Sequence, residues 1–140
     1  ELSGRFGAEF GKDSRITSLF HNLTHGKYVE VNYDKENNTL SVKDSEDHTY
    51  FVNELSQGTF DQLYFSVKVG FAERLLKKEK GFFLLDDPFI AADEERFGKG
   101  MKMLQTLSEE GWQILYFSVQ DRVKNFKGVK KTEVFDLNLM

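Results

Sequence analysis

With 140 residues, 39% of them hydrophobic and 14% aromatic, the chain can bury one core and hardly two. A formal net charge of −4 with 30% charged residues gives it no general attraction to nucleic acid, so any such contact has to be local. Zero cysteines exclude disulfides, thiolate catalysis and cysteine zinc sites.

No apolar run approaches the roughly 20 residues of a membrane helix, and a charged-then-apolar signal pattern is missing from the N-terminus. No membrane partner and a cytoplasmic location are therefore expected. His21, His25 and His48 lack metal-ligand companions at useful spacing; His21 and His25 share a helical i, i+4 spacing and read as surface residues. Residues 1–15 start at Glu1 without Met and are Gly-rich and charged, which reads as a linker or the remnant of a coiled coil. Residues 16–140 are expected to form the single domain.

Ile16, Leu19, Phe20 and Leu23 repeat at i, i+3, i+4, i+7 and predict a helix over Arg15 to Leu23, ended by Gly26. Three β-prone runs follow, marked by Tyr28, Val31 and Tyr33, by Leu40 and Val42, and by Tyr50 and Val52. The turn clusters Asp34 to Asn38 and Asp44 to Asp47 separate them into a β-meander. From Thr59 the period changes to helical, with Phe60, Leu63, Tyr64, Val67, Phe71 and Leu75 on one face and Gly81 as the stop.

The continuous apolar run Phe82 to Leu85 predicts a strand covered on both faces, and Pro88 prevents its continuation. Asp93 is placed to cap a helix carrying Phe97, Met101, Leu104 and Leu107, which Gly111 ends before a strand at Gln113 to Phe117. Strand, helix, strand implies a right-handed parallel βαβ unit. A short helix over Gln120 to Phe126 and a strand over Thr132 to Leu137 complete an α/β layer. Trp112 and the phenylalanines read as core, and Lys124, Lys127, Lys130 and Lys131 as a solvated surface.

Ligands of open parallel sheets bind at the C-terminal ends of the strands, where Asp86 and Asp87 fall. Carboxylates that end an apolar strand suit Mg²⁺ and water activation. Leu55-Ser56-Gln57-Gly58-Thr59 is a small polar loop at the start of a long helix, a place that presents free backbone N–H groups to an anion. Six residues beyond Asp87, Asp93 closes the segment Pro88-Phe89-Ile90-Ala91-Ala92-Asp93.

In this order the three segments resemble a signature motif, a Walker B box and a D-loop. Glu54 to Asp121 is similar to the C-terminal lobe of coiled-coil ABC ATPases of the SMC and recombination-repair type. Within that group it resembles the bacterial YhaN-like ATPases, whose signature also reads Leu-Ser-x-Gly-Thr followed by Gln-Leu-Tyr, as Gln62-Leu63-Tyr64 does here. The resemblance implies an α/β fold: the C-terminal half of a P-loop ATPase head, with a β-meander, a signature helix and a parallel βαβ layer.

The same resemblance implies ATP and Mg²⁺ as cofactors and assigns roles to particular residues. Asp86 would hold the metal through water and Asp87 would polarise the attacking water. Leu55, Ser56, Gln57, Gly58 and Thr59 would cap the γ-phosphate of ATP bound to a second head, and Asp93 would couple the two sites. Gln120 stands where the family often carries a switch histidine; it can donate a hydrogen bond but cannot become cationic. Asp87 departs from the usual glutamate by one methylene, which implies slow turnover.

Gly-x₄-Gly-Lys-Ser/Thr is absent from the sequence: Gly11-Lys12 has Phe6 in place of the first glycine and Asp13 in place of the hydroxyl. In the family that loop lies in an N-terminal lobe across a coiled coil, so the resemblance implies half a head, inactive and weakly binding alone. Its expected partners are its own Walker A lobe, a second head, and DNA or a nuclease subunit. DNA repair or chromosome maintenance is the implied process. A catalytically impaired nucleotide-sensing or interaction module is the alternative, and an unrelated α/β binding domain would require three ordered motifs to coincide.

Overall fold

The structure is a computed structural model describing residues 9–77, 79–128, 133 and 135. Helix α1 (Arg15–Leu23) starts where the Ser14 hydroxyl accepts the Thr17 N–H, a cap worth about 1 kcal/mol. His25 (φ 60°) and Gly26 (φ 78°) turn the chain away from it, and the Gly26 N–H returns to the His21 carbonyl. His25 thus lies beyond the helix end, not on a shared face with His21.

β1 (Tyr28–Asp34), β2 (Thr39–Asp44) and β3 (Thr49–Phe51) form an antiparallel sheet in the order β1-β2-β3. Val31 pairs with Val42 and Val42 with Tyr50, so the expected meander is present. The Asp44 carboxylate fastens the β2–β3 turn by accepting the N–H groups of Glu46 and His48 and the Tyr50 hydroxyl. Val52, expected in the third strand, opens a single 3₁₀ turn, Val52–Glu54.

Helix α2 runs Gln57–Leu76, beginning two residues before the expected Thr59 and ending before Gly81, because Lys77 adopts φ 53°. Its buried face also differs from the expected one. Thr59, Gln62, Leu63, Phe65, Ser66, Val69 and Gly70 are inside, whereas Phe60, Tyr64 and Leu75 are exposed. Small residues face α1 because the helices cross closely: a Cβ on Gly70 would stand 2.5 Å from Ile16 Cγ1.

β4 (Phe82–Asp86) and β5 (Gln113–Phe117) pair in parallel through α3 (Glu94–Glu109), as the βαβ reading expects. Phe97, Met101, Leu104 and Leu107 are buried. Gly111 (φ 101°) ends α3 while the Trp112 N–H reaches back to the Leu107 carbonyl, a left-handed closure that favours glycine. α4 (Asp121–Asn125) follows. The strand expected at Thr132 to Leu137 falls outside the described residues except for Glu133 and Phe135, neither of which is in a strand.

Among the described residues β4 is covered on one face, where two were expected. Leu85 is buried, while Phe82, Leu84 and Phe117 are 61%, 62% and 48% exposed. The register pairs Leu84 with Leu115 and Asp86 with Phe117, so these residues share one open apolar sheet face. The core has two clusters. Leu19 and Leu23 join Phe65, Val69, Leu85, Phe89 and the α3 side chains, whereas Ile16 and Phe20 join Tyr28, Val31, Val42 and Leu63.

Candidate functional site

Asp86 is the last ladder residue of β4 and is exposed beside Phe117. Asp87 then takes φ 40°, a left-handed conformation that an aspartate tolerates better than most residues. Two bonds hold it there: its N–H donates to the Phe117 carbonyl, and its carbonyl accepts the Ile90 N–H, both at 3.0 Å. Its Oδ1 is buried with no hydrogen-bond partner among the described residues. Such an oxygen costs about 1–3 kcal/mol unless a water or cation meets it.

Tyr116 lies next to this carboxylate. Burial, and then the Asp87 charge, push its phenol up to about 12, so it stays neutral at physiological pH. Among the described residues no group of three His, Cys, Asp or Glu side chains converges on a point. Mg²⁺ does not need one: it commonly uses one or two carboxylates and completes its shell with water and phosphate oxygens. Asp86 with Asp87 fits that donor set.

The loop between Asp87 and Asp93 reaches the start of α2. Ser56 caps that helix, its Oγ accepting the Thr59 N–H at 3.3 Å and meeting Thr59 Oγ1 at 2.9 Å. Gln57 is exposed and bonds Asp61, and Leu55 packs on the second cluster. Gly58 is buried against the loop, where a Cβ would stand 2.9 Å from the Ala91 carbonyl oxygen. Asp93 caps α3 by accepting the Arg96 N–H at 2.8 Å, and Arg96 Nη1 donates to Thr59 Oγ1 at 3.3 Å. The two segments thus touch within one chain, through contacts 33 and 37 residues apart in sequence.

Gln120 joins the site through Arg122. Arg122 Nε donates to Gln120 Oε1 at 2.5 Å, while its other nitrogens reach the carbonyls of Ala92, Phe89 and Ile90 at 2.9, 2.8 and 3.1 Å. The guanidinium also stacks over Phe97 at 4.4 Å. Sequence reasoning missed Arg122, Arg96 and Tyr116, since a single charged or aromatic residue in a helix or strand carries no periodic signal. Two cavities, of about 250 and 240 Å³, are lined by other residues, among them Arg15, Lys102 and Met103 in one and Leu40, Phe60 and Tyr64 in the other.

The sequence matches no established family profile. It is 36% identical over 107 residues to YhaN of Bacillus subtilis strain 168, an uncharacterised protein; the match covers 76% of this chain. This chain is a relative of YhaN built on the SMC ATPase-head fold. It spans 11% of YhaN's own length.

The fold is shared with a solved structure from work on ATP-driven dimerisation and DNA-stimulated activation of SMC ATPases. The TM-score is 0.68 at 13% identity, over 98% of this chain and 89% of that one. It is shared too with the Pyrococcus furiosus Smc head domain, solved with an extended coiled coil and bound to the C-terminal domain of ScpA. There the TM-score is 0.60 at 13% identity, over 89% of this chain and 34% of that one. At such identity these structures speak for the fold alone. Among the described residues, no helix is long and apolar enough to cross a membrane.

Proposed function

We propose that residues 16–140 are the C-terminal lobe of an ATP-binding and ATP-hydrolysing head of the SMC and repair type, with residues 1–15 linking it to a coiled coil. The observation that carries the reading is the end of β4. Asp86 is exposed there, and Asp87 is fixed at φ 40° with an unpartnered buried oxygen. The loop that leaves these two carboxylates touches the capped start of α2.

Asp86 would hold Mg²⁺ through water, and the ion would supply charge neutralisation at the phosphates. Asp87 would accept a hydrogen bond from the attacking water, its backbone locked to β5 so that the short side chain keeps one direction. Ser56 and the first-turn amides of Gln57 and Gly58, which a helix start leaves unpaired, would face the γ-phosphate of ATP on a second head. Leu55 and Thr59 hold that turn in place. Gln120, its carbonyl already taken by Arg122, would offer its amide hydrogens, and Asp93 would sit at the junction of the two heads.

The open face of Phe82, Leu84, Leu115 and Phe117 suits a covering layer from a lobe that carries the phosphate loop. Burying such side chains fully is worth about 1.5–3 kcal/mol each. The proposed machine is cytoplasmic and acts in DNA repair or chromosome maintenance, with DNA or a nuclease subunit as partner; the DNA-stimulated activation of the SMC ATPases sharing this fold supports the DNA part of that reading.

Calorimetric titration of Mg-ATP into this chain, alone and mixed with such a lobe, tests the reading. Binding is expected only in the mixture and is lost in Asp86→Ala, while Ser56→Arg binds ATP but no longer dimerises on it. Tight binding by the chain alone, or none by the mixture, overturns the proposal. Binding and dimerisation without turnover would establish the second reading, a nucleotide-sensing module, which the one-methylene-short Asp87 and the tethered Gln120 favour.

A further inference from the structure

Loop 88–92 has little of its own to hold it. Its internal backbone bonds are Ile90 N–H to the Asp87 carbonyl and Ala92 N–H to the Phe89 carbonyl. Phe89, 1% exposed, and the small Ala92 anchor it in the core. Ile90 and Ala91 are exposed. The Phe89 N–H faces the Tyr116 phenol, and among the described residues Arg122 adds the largest set of polar contacts, its planar fork spanning the carbonyls of Phe89, Ile90 and Ala92 on one side and Gln120 on the other.

Only a guanidinium can do this. It offers five donors in fixed directions, where an ammonium offers a point charge. The Phe97 ring lies against one face of the group, and Glu94 Oε1 stands 3.6 Å from Nη1, so its orientation is fixed from several sides. The loop it grips then meets Gly58 through the Ala91 carbonyl, while Arg96 joins Asp93 to Thr59.

We propose that Arg122 is a positioning residue that makes the Asp87–Asp93 loop one body with the end of β5, so that a shift at Gln120 is transmitted to Asp87 and onward to the start of α2. This inference rests on the roles given above to Asp87, Gln120 and Ser56. The path is continuous and short, each link being a hydrogen bond or a backbone contact. It runs inside one chain, so a single head would register at Gly58 and Thr59 what happens beside its own Gln120.

Two measurements test it. Amide exchange on this chain needs no nucleotide: in Arg122→Ala and in Arg122→Lys, exchange at Ile90 and Ala92 is expected to rise roughly tenfold or more, with protection in the β1–β2 ladder unchanged. Unchanged exchange at Ile90 and Ala92 overturns the proposal. In the head completed by its phosphate-loop lobe, Arg122→Lys is expected to lower kcat roughly tenfold while KM for ATP stays within about twofold, the split expected of lost positioning, not lost binding. Raised exchange with wild-type kcat overturns the coupling. If the wild-type completed head shows no turnover, the ATPase reading fails by itself, and the exchange result alone still decides whether Arg122 fixes the loop.

Discussion

Gly100→Ala puts helix propensity and packing in direct opposition, next to the anchor of the candidate site. Gly100 lies inside α3, where alanine would favour the helix by about 1 kcal/mol. The new Cβ, however, would stand 2.6 to 2.7 Å from three atoms of the Phe89 ring, against an ordinary contact of 3.4 Å or more. The ring cannot swing aside: it is 1% exposed and packed edge-on to Phe65 with centroids 5.3 Å apart. Overpacking of this kind costs about 1–3 kcal/mol. With three ring atoms involved the upper end applies, for a net loss of about 2 kcal/mol and a Tm lower by about 4–8 °C in a chain of this size. Circular dichroism melts of wild type, Gly100→Ala, Phe89→Leu and the double variant form the cycle. The double variant should be more stable than the two single losses predict by about 1 kcal/mol or more. A Tm for Gly100→Ala at or above wild type, or strict additivity in the cycle, would refute the packing described.

Two pH predictions follow from the surroundings of Asp44 and Tyr116. Burial pushes the Asp44 carboxyl up, but the N–H groups of His48 and Glu46 and the Tyr50 hydroxyl outweigh it and hold it below its ordinary 3.8. The folded state therefore binds fewer protons than the unfolded one, and this stability is present above about pH 4 and lost as pH falls through the folded value. Urea midpoints between about pH 5 and 2 should fall less steeply for Asp44→Asn; an identical acid limb would contradict this. Tyr116, pushed up to about 12 from 10.0, stabilises fully below pH 10 and loses that contribution as pH rises toward about 12. Tyrosinate absorbance should show a late titration that disappears in Tyr116→Phe. In Asp87→Asn it should move earlier yet stay above 10, because burial is the larger cause. A titration unmoved by Asp87→Asn would place the carboxylate elsewhere.

Elements whose apolar residues recur at a clean period were legible. α1 and β5 have the expected ends, and α3 buries all four expected side chains. α2 misled because its contact face is built of Thr59, Gln62, Ser66 and Gly70. The small Thr59, Ser66 and Gly70 permit close helix approach, while its large aromatics Phe60 and Tyr64 stack on each other outside at 6.3 Å. The apolar run of β4 was read correctly as a strand, but its second cover is not among the described residues, and half of the run faces outward. In the site, carboxylates ending an apolar strand are visible in a sequence. A left-handed Asp87, and an arginine that gathers carbonyls from about 30 residues away, depend on the folded path.

Helix α1 has a consequence for how the chain melts. Ile16 and Phe20 belong to one core cluster and Leu19 and Leu23 to the other, so the two clusters have a helix in common rather than a boundary between them. Neither can open without withdrawing half of the side chains that α1 contributes to its neighbour. The meander and the strand-end site are therefore parts of one cooperative unit, and heat or denaturant should release them together in a single all-or-none transition.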